Sequence, residues 1–256
     1  MRGKPKSARS ASDVVSPVVV SGATGALGSV IVERLVRADV PVIALARSQD
    51  ALDNLGARFP GIRRIACDLR RDSPVIDESR ISGVVHAAGA AFGGGVLDVE
   101  PAAILEAIDL KVNGLLRLIR SVDNGLVEGS RIIALGGNLG LDPVAGASVP
   151  GVTNAALANL IRQLSRAYAP RQVTAHLISP GPVDTERLRL RAADEARVSG
   201  SSATEIYTGY AAASPLSRLT TPAEVAWAVQ LLFDPEAVAL AGSTLFLDSG
   251  LRTSIP

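Results

Sequence analysis

The chain has 256 residues, 47% of them hydrophobic but only 3% aromatic, and a formal net charge of +1. So small a charge creates no field to draw in nucleic acid or an anionic membrane, and a core so poor in aromatics must be built from Val, Ile, Leu and Ala, which suits a parallel sheet covered on both faces. A single cysteine, Cys67, and two histidines, His86 and His176, exclude a disulfide framework and a zinc or di-iron ligand set, so no metal is expected.

Residues 1–15 are basic and rich in small residues but lack the apolar stretch of a signal peptide. They read as a disordered tail ahead of one domain over 16–256. No apolar run approaches the ~18 residues of a membrane span, so a cytoplasmic protein is expected. From residue 17 onward, apolar runs alternate with amphipathic stretches. Pro17–Ser21 reads as a buried strand and Gly25–Ala38 as a helix, with Val30, Ile31, Leu35 and Val36 at helical spacing. Pro41–Ala46, Gly61–Ala66 and Ile81–His86 read as further strands. Pro101 opens a long helix through Val122, proline being favoured at a first helical position. Arg131–Leu135 is a fifth strand, Gly151–Ala167 a second long helix stopped by Pro170, and Val173–Ile178 a sixth strand. The polar, arginine-rich stretch 184–215 is too long for a turn and reads as a lid over a site. Pro222–Phe233 is a helix with Thr221 as N-cap, and Ser243–Leu247 closes the series. Strands alternating with helices in this way imply right-handed crossovers, hence an α/β, Rossmann-type, doubly wound parallel seven-stranded sheet in a single domain.

The turn after the first strand runs Ser21-Gly22-Ala23-Thr24-Gly25-Ala26-Leu27-Gly28. A helix N-terminus offers unpaired N–H groups and partial positive charge, and a pyrophosphate reaches them only past residues without obstructing side chains. Glycines at 22, 25 and 28, between a strand and a helix, therefore point to a dinucleotide. The second strand ends in Arg47-Ser48, where a guanidinium suits a ribose 2′-phosphate. NADP(H) is thus favoured over NAD(H).

Further segments fall in an order that resembles the short-chain dehydrogenase/reductase superfamily across residues 14–251. Cys67-Asp68-Leu69 follows the third strand, where the family places an adenine-contacting acid. His86-Ala87-Ala88-Gly89 follows the fourth, and together with the glycine turn is similar to polyketide ketoreductases. Asn113 sits in the long helix where the resemblance implies an active-site asparagine. Pro180, Gly181, Val183 and Thr185 lie in a segment that in the family flanks the nicotinamide, and Leu245–Leu251 resembles the family's last strand and turn. The resemblance also implies a homodimer or homotetramer packed through the helices at 101–122 and 151–167.

The family's proton relay is a serine after the fifth strand and a Tyr-x-x-x-Lys pair on the next helix. Aligned without gaps, Gly137 takes the serine position, Pro150 that of the tyrosine and Asn154 that of the lysine. No tyrosine precedes Tyr168, and the only lysines are Lys4, Lys6 and Lys111. Lys111, two positions from Asn113 and so on a different helix face, reads as a solvated or interface residue. A positioned general acid is worth roughly 10²–10⁴ in rate, about 3–5 kcal/mol of barrier, so ordinary ketone reduction should suffer. Candidate substitutes are Asn113, Asn154 and a phenol swinging in from the lid, Tyr207. Three readings follow: an atypical NADP(H)-dependent oxidoreductase acting on a small imine or an activated alkene or carbonyl; a catalytically silent dinucleotide sensor or partner subunit; and a redox-neutral cyclase or lyase using the same pocket.

Overall fold

A computed structural model describes residues 16–89 and 94–253; the tail expected over residues 1–15 lies outside them. The strands are β1 (Val18–Ser21), β2 (Val42–Ala46), β3 (Arg63–Ala66), β4 (Ile81–His86), β5 (Leu126–Leu135), β6 (Thr174–Pro180) and β7 (Thr244–Leu247). They form one sheet in the order β3-β2-β1-β4-β5-β6-β7, and every pairing is parallel. This is the expected doubly wound, seven-stranded sheet. The order reverses between β1 and β4, and parallel strands that reverse there leave a crevice at their C-terminal ends.

The helices cover both faces. On one side α1 (Ala26–Arg37) and α8 (Pro222–Leu231) pack over Val18, Val20, Ala44 and Val85. On the other, α4 (Gly114–Val122) and α5 (Ser148–Tyr168) bury Leu115, Leu118, Leu157 and Ile161 against Val19, Val84 and Ile132. All these side chains are aliphatic, as the aromatic-poor composition requires.

Four local features depart from the sequence reading. A helix α2 (Gln49–Arg58) follows β2, with Ser48 as its N-cap accepting a hydrogen bond from the Ala51 N–H at 3.2 Å. Its apolar face is only Leu52 and Leu55, too narrow a stripe to register as periodicity. The stretch 184–215 contains two helices, α6 (Glu186–Ser199) and α7 (Ala203–Ala212), which pack on each other. Thr185 caps the first, and Ser202 with Glu205 forms a capping box on the second. The helix expected over 101–122 is interrupted: α3 (Pro101–Ile108) passes through a π-turn at Asp109–Asn113 before continuing as α4. β5 also begins earlier than expected, at Leu126, where the register against β4 shifts. Its first residues, Leu126-Val127-Glu128-Gly129-Ser130, lack an apolar run.

Both histidines lie in the sheet. His176 on β6 is hydrogen-bonded to Thr174 Oγ1 at 2.7 Å and to the Leu240 carbonyl at 3.1 Å; a ring nitrogen facing a carbonyl must carry the proton, so the other accepts from the threonine. Burial pushes both His176 and His86 down to about 4.

Leu118, with no exposed surface, is the central side chain of α4. Leu118→Ala should cost about 2–5 kcal/mol through lost burial and the cavity left behind, read as a fall in the urea midpoint with the m-value unchanged. The depressed histidines set an acid limit. Unfolded histidines bind protons below about pH 6.5, whereas these stay neutral in the fold until about 4. Their contribution is therefore complete above about 6.5 and is lost as pH falls through that window. Urea midpoints should decline from pH 6.5 to 4, and less steeply in His176→Asn; equal slopes would exclude the linkage.

Candidate functional site

The crevice is built from the turns that end β1, β2, β4, β5 and β6. The first is the glycine turn. Gly22 has φ +68°, a conformation side-chain-bearing residues rarely adopt, and a Cβ there would lie 2.7 Å from the Ala88 nitrogen. A Cβ on Gly28 would lie 2.1 Å from the Gly22 carbonyl oxygen, so α1 can approach β1 this closely only with glycine. Gly25 is the N-cap of α1 with no side-chain hydrogen bond, and no acid lies in the first turn. The N–H groups of Ala26, Leu27 and Gly28 thus face outward with the positive end of the helix behind them. Thr24 flanks the turn, half-buried. Ser21 does not join it: fully buried, its hydroxyl is bonded to His86 Nδ1 at 2.7 Å.

At the end of β2, Arg47 is exposed and has no ion-pair partner among the described residues. Ser48 beside it caps α2. After β3, Asp68 is engaged by Arg70, whose Nη2 lies 2.6 Å from Oδ2 and whose other terminal nitrogen reaches Glu106 at 2.6 Å. That hydrogen bond is the main cause holding the Asp68 carboxyl below its ordinary value, with Arg47 adding a smaller push. Leu69 is buried, and its carbonyl accepts from Arg117 at 2.8 Å. Ala88 and Gly89 continue from β4 toward the surface.

The long helix brings a different residue to the crevice from the one its sequence suggested. In the π-turn the Gly114 N–H reaches the Asp109 carbonyl, and Asn113 Nδ2 donates to Asp109 Oδ1 at 2.6 Å. Asn113 is therefore held on its own helix. The inserted residue turns Lys111 instead toward α5, where Nζ donates to Asn154 Oδ1 at 2.6 Å. The lysine stem runs past the end of β4, with Cε 3.3 Å from where a Gly89 Cβ would sit. Lys111 is thus partly buried and engaged by α5, not a freely solvated or interface side chain. Helical spacing placed it on the outer face because that spacing assumes an uninterrupted α-helix. Burial, with a smaller contribution from the Arg187 guanidinium, pushes its ammonium down to about 8.

Asn154 is 5% exposed. Its Nδ2 lies 2.8 Å from where a Gly137 Cβ would be, so its amide covers the backbone just beyond β5. Pro150 lies in the first turn of α5, where a missing N–H breaks no helical bond. After β6, Pro180 closes the strand and a Gly181 Cβ would meet Asp248 at 3.1 Å. Val183 pairs with Thr220, and Thr185 caps α6. Tyr207, on α7, donates to Asp184 Oδ1 at 2.6 Å beneath the Arg189 guanidinium; its hydroxyl is held there and not beside Lys111 and Asn154. Sequence reasoning missed Lys111 and Arg187. The only available signal for the first was that it is the sole lysine beyond residue 6. Among the described residues no helix is long and apolar enough to cross a membrane.

Comparison with known proteins agrees with this architecture. The family described as enoyl-(acyl carrier protein) reductase matches residues 22–252. The 3-oxoacyl-(acyl-carrier-protein) reductase FabG of Salmonella typhimurium is 25% identical over 244 residues, covering 91% of this chain and 96% of its own. The cyclic-di-GMP-binding biofilm dispersal mediator protein of Escherichia coli K12 is 29% identical over 244 residues, covering 90% and 94%. Among solved structures, an actinorhodin polyketide ketoreductase variant with NADPH superposes with a TM-score of 0.85 at 22% identity, covering 93% of this chain and 98% of that one. L-sorbose reductase of Gluconobacter frateurii, complexed with NADPH and L-sorbose, gives 0.81 at 20% identity, covering 94% and 98%. Fold order, glycine turn and family match lead to one assignment: this chain belongs to the short-chain dehydrogenase/reductase superfamily, whose members bind nicotinamide cofactors.

Proposed function

We propose that the chain is an NADP(H)-binding oxidoreductase acting on a small organic substrate that does not depend on a tyrosine–lysine relay. The observation that carries this reading is the uncapped, acid-free N-terminus of α1 above a turn with no room for side chains. A pyrophosphate fits that cradle through the N–H groups of Ala26, Leu27 and Gly28. Arg47, without an ion-pair partner among the described residues, would take a 2′-phosphate; Asp68 and Leu69 would border the adenine, and Ser48 would reach the phosphate only while keeping its cap on α2. Gly89 and the segment Pro180–Thr185, pinned to Thr220, would flank the nicotinamide. Once bound, the nicotinamide supplies or accepts the hydride.

The family's serine, tyrosine and lysine positions carry Gly137, Pro150 and Asn154 in this chain, and Tyr207 is engaged by Asp184. The Tyr207 phenol therefore does not serve the reacting atoms. Substrates needing little protonic help, an imine or an activated alkene or carbonyl, suit such a site. A silent sensor is the second reading; the Escherichia coli relative is named for binding cyclic-di-GMP and not for a reduction. A redox-neutral reaction leaves the phosphate cradle without a purpose. Leu105 on α3 and Val152 on α5 remain 65% and 49% exposed, which supports association into a homodimer or homotetramer through these helices.

Calorimetric titration should show NADPH binding more tightly than NADH. Arg47→Ala should weaken NADPH about tenfold or more, the loss of a charge-assisted phosphate contact, and leave NADH nearly unchanged. Gly22→Ala, which forces a Cβ into the Ala88 backbone, should abolish binding of both. Absence of binding by either cofactor in the parent chain would sink the oxidoreductase reading.

A further inference from the structure

We infer that Lys111, brought to the crevice by the π-turn and held there by Asn154, is the ionising side chain of the site and its proton donor and acceptor. The inference rests on the oxidoreductase reading above and identifies the residue that handles its protons.

The geometry is specific. Lys111 Nζ lies 2.6 Å from the oxygen of Asn154, a side chain that is itself buried. Its stem follows the backbone beyond β4, the strand beside β1 on the far side of the strand-order reversal. The ammonium therefore flanks the crevice at the C-terminal edge, opposite the phosphate cradle on α1. The groups facing it are few. From β4 comes His86, which is sealed from solvent and bonded to Ser21. The positive Lys111 and, more strongly, burial keep His86 neutral at physiological pH. From α6 comes Arg187, which has no ion-pair partner among the described residues. From α5 comes only the uncharged Asn154. On its own helix, Asp109 is engaged by Asn113. Among the described residues no carboxylate is paired with the lysine to hold it in the charged form, and its ionisation falls to about 8, close to the range in which a general acid is most effective.

Three other groups with exchangeable protons are already engaged or sealed off. Tyr207 donates to Asp184, Asp184 is paired with Arg189, and His86 is fully buried. In the reduction of a carbonyl, a bound nicotinamide would supply the hydride to the carbon as the C=O π bond opens. The oxygen gains a proton as a Lys111 Nζ–H bond breaks, and the neutral amine recovers a proton from solvent. The ammonium thus extends the accessible carbonyls beyond activated ones. Asn154 acts as a positioning residue: its oxygen accepts from Nζ, and its amide keeps the backbone at Gly137 clear of side chains.

The lysine content makes this directly measurable. Only Lys4, Lys6 and Lys111 contribute lysine signals, so a chain labelled with ¹³C at lysine Cε gives three resonances, assigned by the loss of one in Lys111→Met. Titrated by NMR, Lys111 should ionise near 8, well below the ordinary lysine value of about 10.4. Saturation with NADP⁺ should move the Lys111 signal and midpoint and leave the other two in place. Asn154→Leu should lower the midpoint further by removing an acceptor from the charged form, and Asn154→Asp should raise it above the parent value by placing a carboxylate against it. Co-titration of Lys111 with Lys4 and Lys6 overturns the inference. So does NADP⁺ binding that leaves Lys111 unmoved, in which case the oxidoreductase reading stands. If NADP⁺ does not bind, that reading falls and this inference falls with it.

Discussion

Because every strand of this sheet is parallel, all of them deliver their chains to the same edge. Function is confined there by that constraint alone. The opposite edge carries only the approaches from the helices and a cleft lined by Arg34, Ser82, Glu128, Trp227 and Phe233, far from the N-terminus of α1. At the C-terminal edge the sheet order reverses between β1 and β4. The turn after β1 must then pass close to the turn after β4, and Gly22 lies against Ala87 and Ala88 for that reason. The glycine turn, the buried Ser21–His86 bond beneath it and the Lys111 stem beside Gly89 are consequences of one strand crossing.

The electrostatics of the crevice follow from what surrounds these groups. Arg47 and Arg187 lack carboxylate partners among the described residues, and Lys111 hydrogen-bonds a neutral amide. Elsewhere the guanidinium groups are mostly paired: Arg63 with Glu78, Arg64 with Asp53, Arg171 with Asp123, Arg189 with Asp184. Surface pairs of this kind add little stability, but they neutralise the periphery. Positive charge is left where an anionic ligand would approach. A chain with almost no net charge can therefore present a locally cationic groove, which whole-chain arithmetic does not reveal.

The sheet and the glycine turn were legible because each is a short-range pattern. An aliphatic run of four or five residues can be little other than a buried strand, and three glycines between a strand and a helix restrict the backbone directly. The rest was hidden for identifiable reasons. Ser48, beside Arg47, starts α2 by accepting from the Ala51 N–H, a role that a small polar residue at a strand's end does not announce because the helix after it has so narrow an apolar face. The arginine-rich stretch 184–215 looked like a loop because neither of its helices buries a broad apolar stripe. Most consequential was the π-turn. One inserted residue rotates every following side chain by roughly a third of a turn, so helical spacing set Lys111 on a face away from Asn113 when it is Lys111 that reaches α5. Nothing in the local sequence Asp109-Leu110-Lys111-Val112-Asn113 announces the insertion, which depends on Asp109 accepting from Asn113, Gly114 and Arg117 together.

The contact between Asn154 and the backbone at Gly137 bears on how such a site can change over time. The amide occupies the space a side chain at 137 would need, and it cannot swing aside without abandoning the lysine it holds. A serine introduced at 137 meets a filled position for as long as Asn154 remains, and a lysine introduced at 154 meets a second ammonium for as long as Lys111 remains. Substitutions at 111, 137 and 154 are therefore epistatic: the order in which they arise decides whether each is tolerated. The three positions constrain one another as a unit.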